Sequence, residues 1–260
     1  MTNMSPPKQT IILITGATGA IGGALALHYA KPDVCLILQG RNEIKLKEIA
    51  SQCKTLGATT DTVNLDFRDI ALVNLWLEDL TTKQLPDLVI ANAGININKG
   101  PSNEGERWED IDALLDINIK ASFALINAVI PGMCQRGFGQ IAIISSLAAY
   151  YGLPVMPSYC ASKAALKSYG EALRGWLAKD GVKINVVMPG NVNSQMCSAM
   201  PGPKPFLWSP EKAALFIAKG LEKNKARISF PFPLNIGTWF LSVFPPSWSQ
   251  WILKLLNYGG

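Results

Sequence analysis

One histidine, His28, stands in a chain of 260 residues. A single imidazole cannot supply a His-based metal cluster, so acid–base chemistry must rest on other side chains. His28 falls in the first helical pattern and reads as a surface or packing residue. Cysteine is scarce too: Cys35, Cys53, Cys134, Cys160 and Cys197 are odd in number, scattered, and form no C-x-x-C pair. That spacing indicates neither a disulfide framework nor a zinc site, so no metal ligands are assigned, and it fits a reducing compartment. Charged residues make up only 17% of the chain. The net charge is +5 and the pI about 8.9, with no dense Lys/Arg cluster interleaved with aromatics, so nucleic acid is not an expected partner. Met1 to Thr10 is polar, with two prolines and no apolar core, unlike a signal peptide. No apolar run reaches the roughly 18–20 residues that span a bilayer. A cytoplasmic protein is expected. Linkers, repeats and low-complexity segments are missing as well, and with 48% apolar residues one α/β domain is the preferred reading.

What is present starts with a strand and a glycine turn. Thr10 to Thr15 (T-I-I-L-I-T) is a continuous apolar run, the pattern of a buried parallel strand. Gly16-Ala17-Thr18-Gly19-Ala20-Ile21-Gly22-Gly23 follows and leads into a helical stretch, Ala24 to Ala30. Glycines at such a turn let the backbone approach a pyrophosphate, and the helix start offers free N–H groups and a partial positive charge. The second strand, Val34 to Gln39, ends at Gly40-Arg41-Asn42. An acidic residue is usual at that strand end when NAD is bound; here Arg41 stands beside Gly40 and suits a 2′-phosphate, which points to NADP.

A helix (Glu43 to Leu56) and a third strand (Thr60 to Leu65) lead to Asp66, placed to accept an adenine amino hydrogen bond or to cap the next helix, where Asp69 is also available. After a helix from about Ile70 to Thr81, the fourth strand, Asp87 to Ala91, ends in Asn92-Ala93-Gly94, small enough for something flat to lie on the main chain. A long helical run, roughly 108–136, holds Asn118 among Leu114, Leu115, Ile117 and Ile119. Asn118 either bends the helix and holds a water or is a buried amide satisfied by backbone.

Chemistry gathers at the next elements. A strand, Gln140 to Ile144, ends at Ser145-Ser146, and a helix beginning near Ser158 carries Tyr159 and Lys163. Residues four apart share a helix face, so the phenol and the ammonium project together towards that strand end. A tyrosine near pKa ~10 is a poor acid–base at neutral pH, and a neighbouring cation lowers it. The sixth strand, Val182 to Met188, closes with Pro189-Gly190-Asn191-Val192-Asn193-Ser194.

In this order the motifs resemble the short-chain dehydrogenase/reductase family: T-G-A-T-G-A-I-G (Thr15 to Gly22), Asp66, N-A-G (Asn92 to Gly94), Asn118, I-S-S (Ile144 to Ser146), Y-C-A-S-K (Tyr159 to Lys163) and P-G-N-V-N-S (Pro189 to Ser194). Ser146, not Ser145, has the family's spacing of thirteen residues to the tyrosine. The resemblance implies a single Rossmann-type α/β domain: a doubly wound, seven-stranded parallel sheet flanked by helices. It implies a catalytic tetrad of Asn118, Ser146, Tyr159 and Lys163, with Tyr159 passing a proton while hydride moves between substrate and NADP(H). Ser146 would hold the substrate oxygen, Lys163 would lower the Tyr159 pKa and bind the ribose, and Asn118 would keep a water. Cofactor contacts would come from Gly16, Thr18, Gly19, Ala20, Ile21, Gly22, Arg41, Asn42, Asp66, Asn92, Ala93 and Gly94, then from Tyr159, Lys163, Pro189, Gly190, Val192 and Ser194. Ser194 stands where the family has threonine. Ala20 replaces a glycine of the compact members, and the spacing Gly16, Gly19, Gly22 is that of longer members acting on nucleotide sugars.

The expected function is therefore an NADP(H)-dependent alcohol dehydrogenase or carbonyl reductase. The alternatives are a sugar-nucleotide epimerase or dehydratase and a non-catalytic NADP-binding sensor or scaffold. Residues 8–195 form the cofactor and catalytic core in this reading, and 195–230 a substrate lid, a helix (Glu211 to Asn224) and the last strand (Arg227 to Phe230). The lid is read as mobile and apolar, with Met196, Met200, Phe206, Leu207 and Trp208 broken by prolines. Residues 231–260 form an apolar tail of paired helices separated by Pro245-Pro246. It packs on the body or a partner subunit, touches a membrane surface, or covers a hydrophobic substrate. A homodimer or homotetramer through helices near 108–136 and 157–179 is what the resemblance implies.

Overall fold

Seven short strands, most of them rich in Val, Ile and Leu, pair into one sheet in the computed structural model, which describes residues 9–98, 105–200 and 202–258. They are β1 (Thr10–Ile14), β2 (Val34–Gly40), β3 (Thr59–Asn64), β4 (Leu88–Ala91), β5 (Gly139–Ile144), β6 (Val182–Pro189) and β7 (Arg227–Phe230). Every pairing is parallel and the order is β3-β2-β1-β4-β5-β6-β7. The order reverses between β1 and β4, the crevice where open α/β sheets bind their ligands.

Helices cover both faces: α1 (Ala20–Tyr29), α2 (Glu43–Thr55), α3 (Ile70–Lys83), α4 (Trp108–Leu115), α5 (Ala121–Arg136), α6 (Pro157–Leu177), α7 (Gln195–Ala199) and α8 (Pro210–Glu222). Alternation along β1 splits the core in two. Ile12 and Ile14 pack with Leu25 of α1, Leu46 of α2 and Ile217 of α8, whereas Leu13 packs with Val73 of α3, Leu125 of α5 and Leu173 of α6. Each fully buried Leu or Ile contributes about 1.5–3 kcal/mol relative to exposure, which fixes the register of the central strands.

Three details bear on the sequence reading. α1 begins at Ala20, not Ala24, because Gly22 and Gly23 belong to its first turn. Asp69 rather than Asp66 caps α3, accepting from the Leu72 N–H at 3.1 Å. The helical run Trp108–Arg136 is long and apolar enough to cross a bilayer by length and composition, against the expectation that no segment would be. Here it is a core helix: Ile117, Leu125, Ile126, Val129 and Met133 are buried against the sheet and its neighbours. Within it, Asp116–Lys120 widens into a π-turn centred on Asn118.

The tail forms α9 (Leu234–Val243) and α10 (Pro246–Leu255), as the Pro245-Pro246 break predicts. It is fastened to the body. Asn235 Nδ2 donates to the Ser229 carbonyl at 3.2 Å, Tyr151 Oη to the Pro246 carbonyl at 3.3 Å, and Tyr258 Oη to that of Pro203.

Candidate active site

The strand ends at the switch point are tied together by two buried polar side chains the sequence reading passed over. Thr15 Oγ1 accepts from the backbone N–H groups of Asn92 and Ala93, both at 3.0 Å. Gln39 Oε1 accepts from the Gly16 N–H at 3.0 Å, and its Nε2 donates to the Leu65 carbonyl at 2.6 Å. Asn92 Nδ2 donates back to the carbonyls of Thr15 and Gly16 at 2.9 and 3.2 Å. Their only sequence signal is a polar residue at the end of an apolar run.

These bonds hold a turn in which glycine is required. Gly16 has φ +63°, and a Cβ there would lie 2.9 Å from Ala93 Cα; a Cβ on Gly22 would lie 2.4 Å from the Gly16 carbonyl oxygen. Gly19 caps α1, with no side chain bonded to the first-turn N–H groups and no acid in that turn. An uncapped helix start behind a glycine cradle fits a pyrophosphate.

The tetrad residues converge from three elements. Tyr159 and Lys163 are both buried on α6, with Lys163 Nζ 5.7 Å from the centre of the Tyr159 ring. Lys163 Nζ donates to the Ile144 carbonyl at 3.0 Å, and Ser145 Oγ donates to the Lys163 carbonyl at 2.7 Å, so Ser145 braces α6 on β5. Ser146 Oγ accepts from the Ala148 N–H at 3.1 Å and reaches the Tyr159 phenol. Asn118 is fully buried: Oδ1 accepts from the Ile95 N–H at 2.8 Å, while Nδ2 donates to the Ile95 carbonyl and to Ser162 Oγ, both at 3.0 Å. It therefore clamps the segment after β4 to α6. A Cβ on Gly94 would lie 3.1 Å from Asn118 Oδ1 and 3.3 Å from Lys163 Nζ, so a side chain there would press on both groups.

The electrostatics differ from the expected lowered tyrosine pKa. Burial pushes the Tyr159 phenol up to about 12, opposed by its hydrogen bond with Ser146. Burial also pushes Lys163 down to about 8 from its ordinary 10.5. Desolvation is the largest cause of both shifts because both groups are enclosed.

A stability prediction follows from the sign of the Lys163 shift. Below about pH 8 the fold buries a charge that the unfolded chain would solvate. Between about 8 and 10.5 the unfolded chain binds the proton that the folded one has released, so stability rises with pH across that window. The Lys163→Met variant is expected to be more stable than wild type at pH 7, with the gain shrinking from pH 8 upward. Urea midpoints between pH 6.5 and 9.5 check this, below the range where Tyr159 titrates; an equal gain at every pH would contradict it.

All of this opens into one cavity of about 1190 Å³, above the roughly 300–1,000 Å³ of an ordinary small-molecule pocket and large enough for two ligands together. Gly16, Thr18, Gly19, Ala20, Ile21, Arg41, Asn42, Asn92, Ala93 and Gly94 line one part. Ser146, Tyr159, Lys163, Pro189, Gly190, Val192 and Ser194 line the next. Gly22 and Asp66, both expected to contact a cofactor, are not among the lining residues, and neither is Asn118. The Asp66 carboxylate is instead bound by Arg68, whose Nε donates at 2.9 Å, with Arg41 at 4.0 Å; these partners hold it below the usual carboxylate range.

Lys45 lines the cavity beside Arg41, and the sequence reading missed it because it looks like any solvated residue of a helix start. Glu106 was missed as well. Its carboxylate accepts from the Ser158 N–H at 3.2 Å and from the Ser158 hydroxyl, supplying the side-chain cap that the start of α6 otherwise lacks. The far wall is apolar, made by Met196, Met200, Leu241, Ile252 and Leu253.

This combination of sheet, glycine turn and Ser-Tyr-Lys cluster is matched by the family model described as short chain dehydrogenase, over residues 10–202. The chain belongs to that family, a family of oxidoreductases. It is 33% identical over 246 residues to an uncharacterized oxidoreductase of Myxococcus xanthus, covering 93% of this chain and 95% of the other. It is 34% identical over 184 residues to a 3-oxoacyl-[acyl-carrier-protein] reductase of Rickettsia felis, covering 71% and 73%. A solved short-chain dehydrogenase from Sphingobium yanoikuyae, in complex with NADPH, superposes with a TM-score of 0.79 over 86% of this chain and 88% of the other, at 22% identity. The match to the family model ends at residue 202, before α8, β7 and the tail helices.

Proposed function

We propose that the chain is an NADP(H)-dependent carbonyl reductase or alcohol dehydrogenase acting on a hydrophobic substrate, with Tyr159 as the general acid–base. The observation that carries this is the convergence of Tyr159, Ser146 and Lys163 on the cavity that holds the glycine turn and the Arg41–Lys45 pair at one end and an apolar wall at the other. NADP(H), when bound, supplies or accepts the hydride. Gly16 to Ile21 would hold its pyrophosphate, Arg41 and Lys45 its 2′-phosphate, and Pro189 to Ser194 the nicotinamide end. Both the NADPH-bound relative and the absence of an acid at the end of β2 support NADP over NAD.

Ser146 and Tyr159 hold the substrate oxygen between them. A phenol with a pKa of about 12 is protonated at neutral pH and gives its proton to an oxygen that is gaining charge. Lys163, charged below about pH 8, stabilises the phenolate left behind. Asn118 and Ser145 position α6 so that these groups meet. A cytoplasmic setting fits the scattered free cysteines. Self-association through α5 and α6 is supported by Trp176 of α6, which stands 61% exposed. The membrane-surface reading of the tail belongs to this proposal too.

The test is cofactor turnover with ketones of increasing apolar size. Faster oxidation of NADPH than of NADH, by about tenfold, is expected. A chain that binds nucleotide but turns over neither ketones with NADPH nor alcohols with NADP would be a binding protein instead.

A further inference from the structure

Helices α9 and α10 each carry two apolar faces, and the fold uses one. Leu234, Gly237, Thr238 and Leu241 of α9 and Ile252 and Leu253 of α10 line the cavity. Spacings of three, four and seven put the α9 set on one side of its helix, and Ile252 and Leu253 are neighbours on α10. Ser249, fully buried, donates from Oγ to the Leu241 carbonyl at 2.8 Å and locks the helices together.

The other side is open to solvent. On α9, Ile236, Trp239, Phe240 and Val243 are 41% to 55% exposed; on α10, Trp248, Trp251 and Leu255 are 62% to 68% exposed. Ring contacts run Trp239–Phe240 at 5.0 Å, Phe240–Phe244 at 5.7 Å and Phe244–Trp248 at 6.4 Å, so the aromatics form one continuous strip across both helices. An apolar strip of this kind on a protein surface marks a contact.

Charge chooses the partner. From Gly190 to the end the sequence holds seven Lys or Arg and two acids, against seventeen of each before it, so the whole net charge of +5 belongs to the last part of the chain. Residues 231–260 contain no acid, and Lys254 lies between Trp251 and Leu255 in the sequence of α10. Lys204, whose Nζ donates to the Met200 carbonyl at 2.9 Å, stands near the Tyr258 end of the tail. A second copy would set like charge against like. An anionic lipid surface complements it, and Trp rings and Lys stems suit its headgroup layer.

We propose that the outer face of α9 and α10 docks on an anionic lipid surface, and that the cavity takes an amphiphilic carbonyl or alcohol resident in that surface. Met196 and Leu256 line the cavity while standing 40% and 52% exposed, giving it an apolar rim on this side. The substrate half of this proposal rests on the carbonyl-reductase reading; the docking half does not.

Flotation of the full chain with phosphatidylcholine–phosphatidylglycerol vesicles tests docking. Wild type is expected to float with them, and about tenfold less with phosphatidylcholine alone. W248S/W251S is expected to stay in the soluble fraction while binding NADPH as wild type does. K204E/K254E, which leaves the apolar strip intact, is expected to lose the preference for anionic vesicles. Wild type that ignores both vesicles, double variants that float unchanged, or a dimer in solution that W248S/W251S abolishes would each overturn docking, the last assigning the face to a second copy.

For the substrate, wild type should reduce a long-chain ketone presented in anionic vesicles faster than W248S/W251S does, with both equal on a short water-soluble ketone. Equal rates on the vesicle ketone would overturn that half. A chain that floats yet turns over no ketone would refute the reductase reading and leave docking standing.

Discussion

Replacing Tyr159 by phenylalanine is expected to lower kcat for ketone reduction by about 10²–10⁴-fold, the usual worth of a positioned general acid. The substitution removes one oxygen from a buried ring and keeps the packing against Leu114, Val155 and Met156. NADPH affinity should stay within a few-fold of wild type, because the glycine turn and Arg41 are untouched. KM for the ketone should rise modestly, since Ser146 still holds the substrate oxygen. The pH profile separates a chemical role from a structural one. In wild type the phenol stays protonated to about pH 12, so the first loss of reductase activity on raising the pH is expected near pH 8, where Lys163 gives up its charge. In Tyr159→Phe that limb should vanish with the activity it modulates. Steady-state rates from pH 6 to 9.5 check this, and an undiminished kcat would remove Tyr159 from the chemistry.

The second large effect concerns the cofactor. Arg41→Ala is expected to weaken NADPH binding by about tenfold and to leave NADH binding unchanged, the low end for a hydrogen bond to a charged group because the Arg41 side chain is 52% exposed and screened. Adding Lys45→Ala should weaken NADPH further. Asp66 lies 4.0 Å from Arg41, so Asp66→Asn is the informative control: it frees the guanidinium without removing it. Calorimetric titration with both nucleotides reads all three variants. Equal losses for NADH and NADPH would mean that Arg41 does not meet the 2′-phosphate.

The central strands were legible because each is an apolar run ended by a small or polar residue, the mark of parallel strands buried on both faces, whereas the edge strand β3 (T-T-D-T-V-N) is polar and largely exposed. The proximity of Tyr159, Lys163 and Ser146 was legible because the first two are one helical turn apart and Ser146 follows a strand. Other features were hidden for physical reasons. Gly22 and Gly23 look like loop residues, yet they sit in the first turn of α1, where a Cβ at 22 would strike the Gly16 carbonyl. The π-turn at Asn118 is a backbone response to an amide pulled towards Ile95 and Ser162, partners far away in sequence. Lys45 and Glu106 gain their significance only from the fold, which brings one beside Arg41 and the other to the start of α6. In the tail, periodicity gave little, since α9 and α10 are apolar on both sides and one side fronts the cavity.

A crystal structure of the chain with NADPH and a ketone inhibitor tests the central claim most directly. The ketone oxygen should lie within about 2.6–3.2 Å of both Tyr159 Oη and Ser146 Oγ, with the nucleotide along Gly16 to Ile21 and its 2′-phosphate at Arg41. A ketone oxygen turned away from Tyr159, or a nucleotide bound outside this cavity, would contradict it.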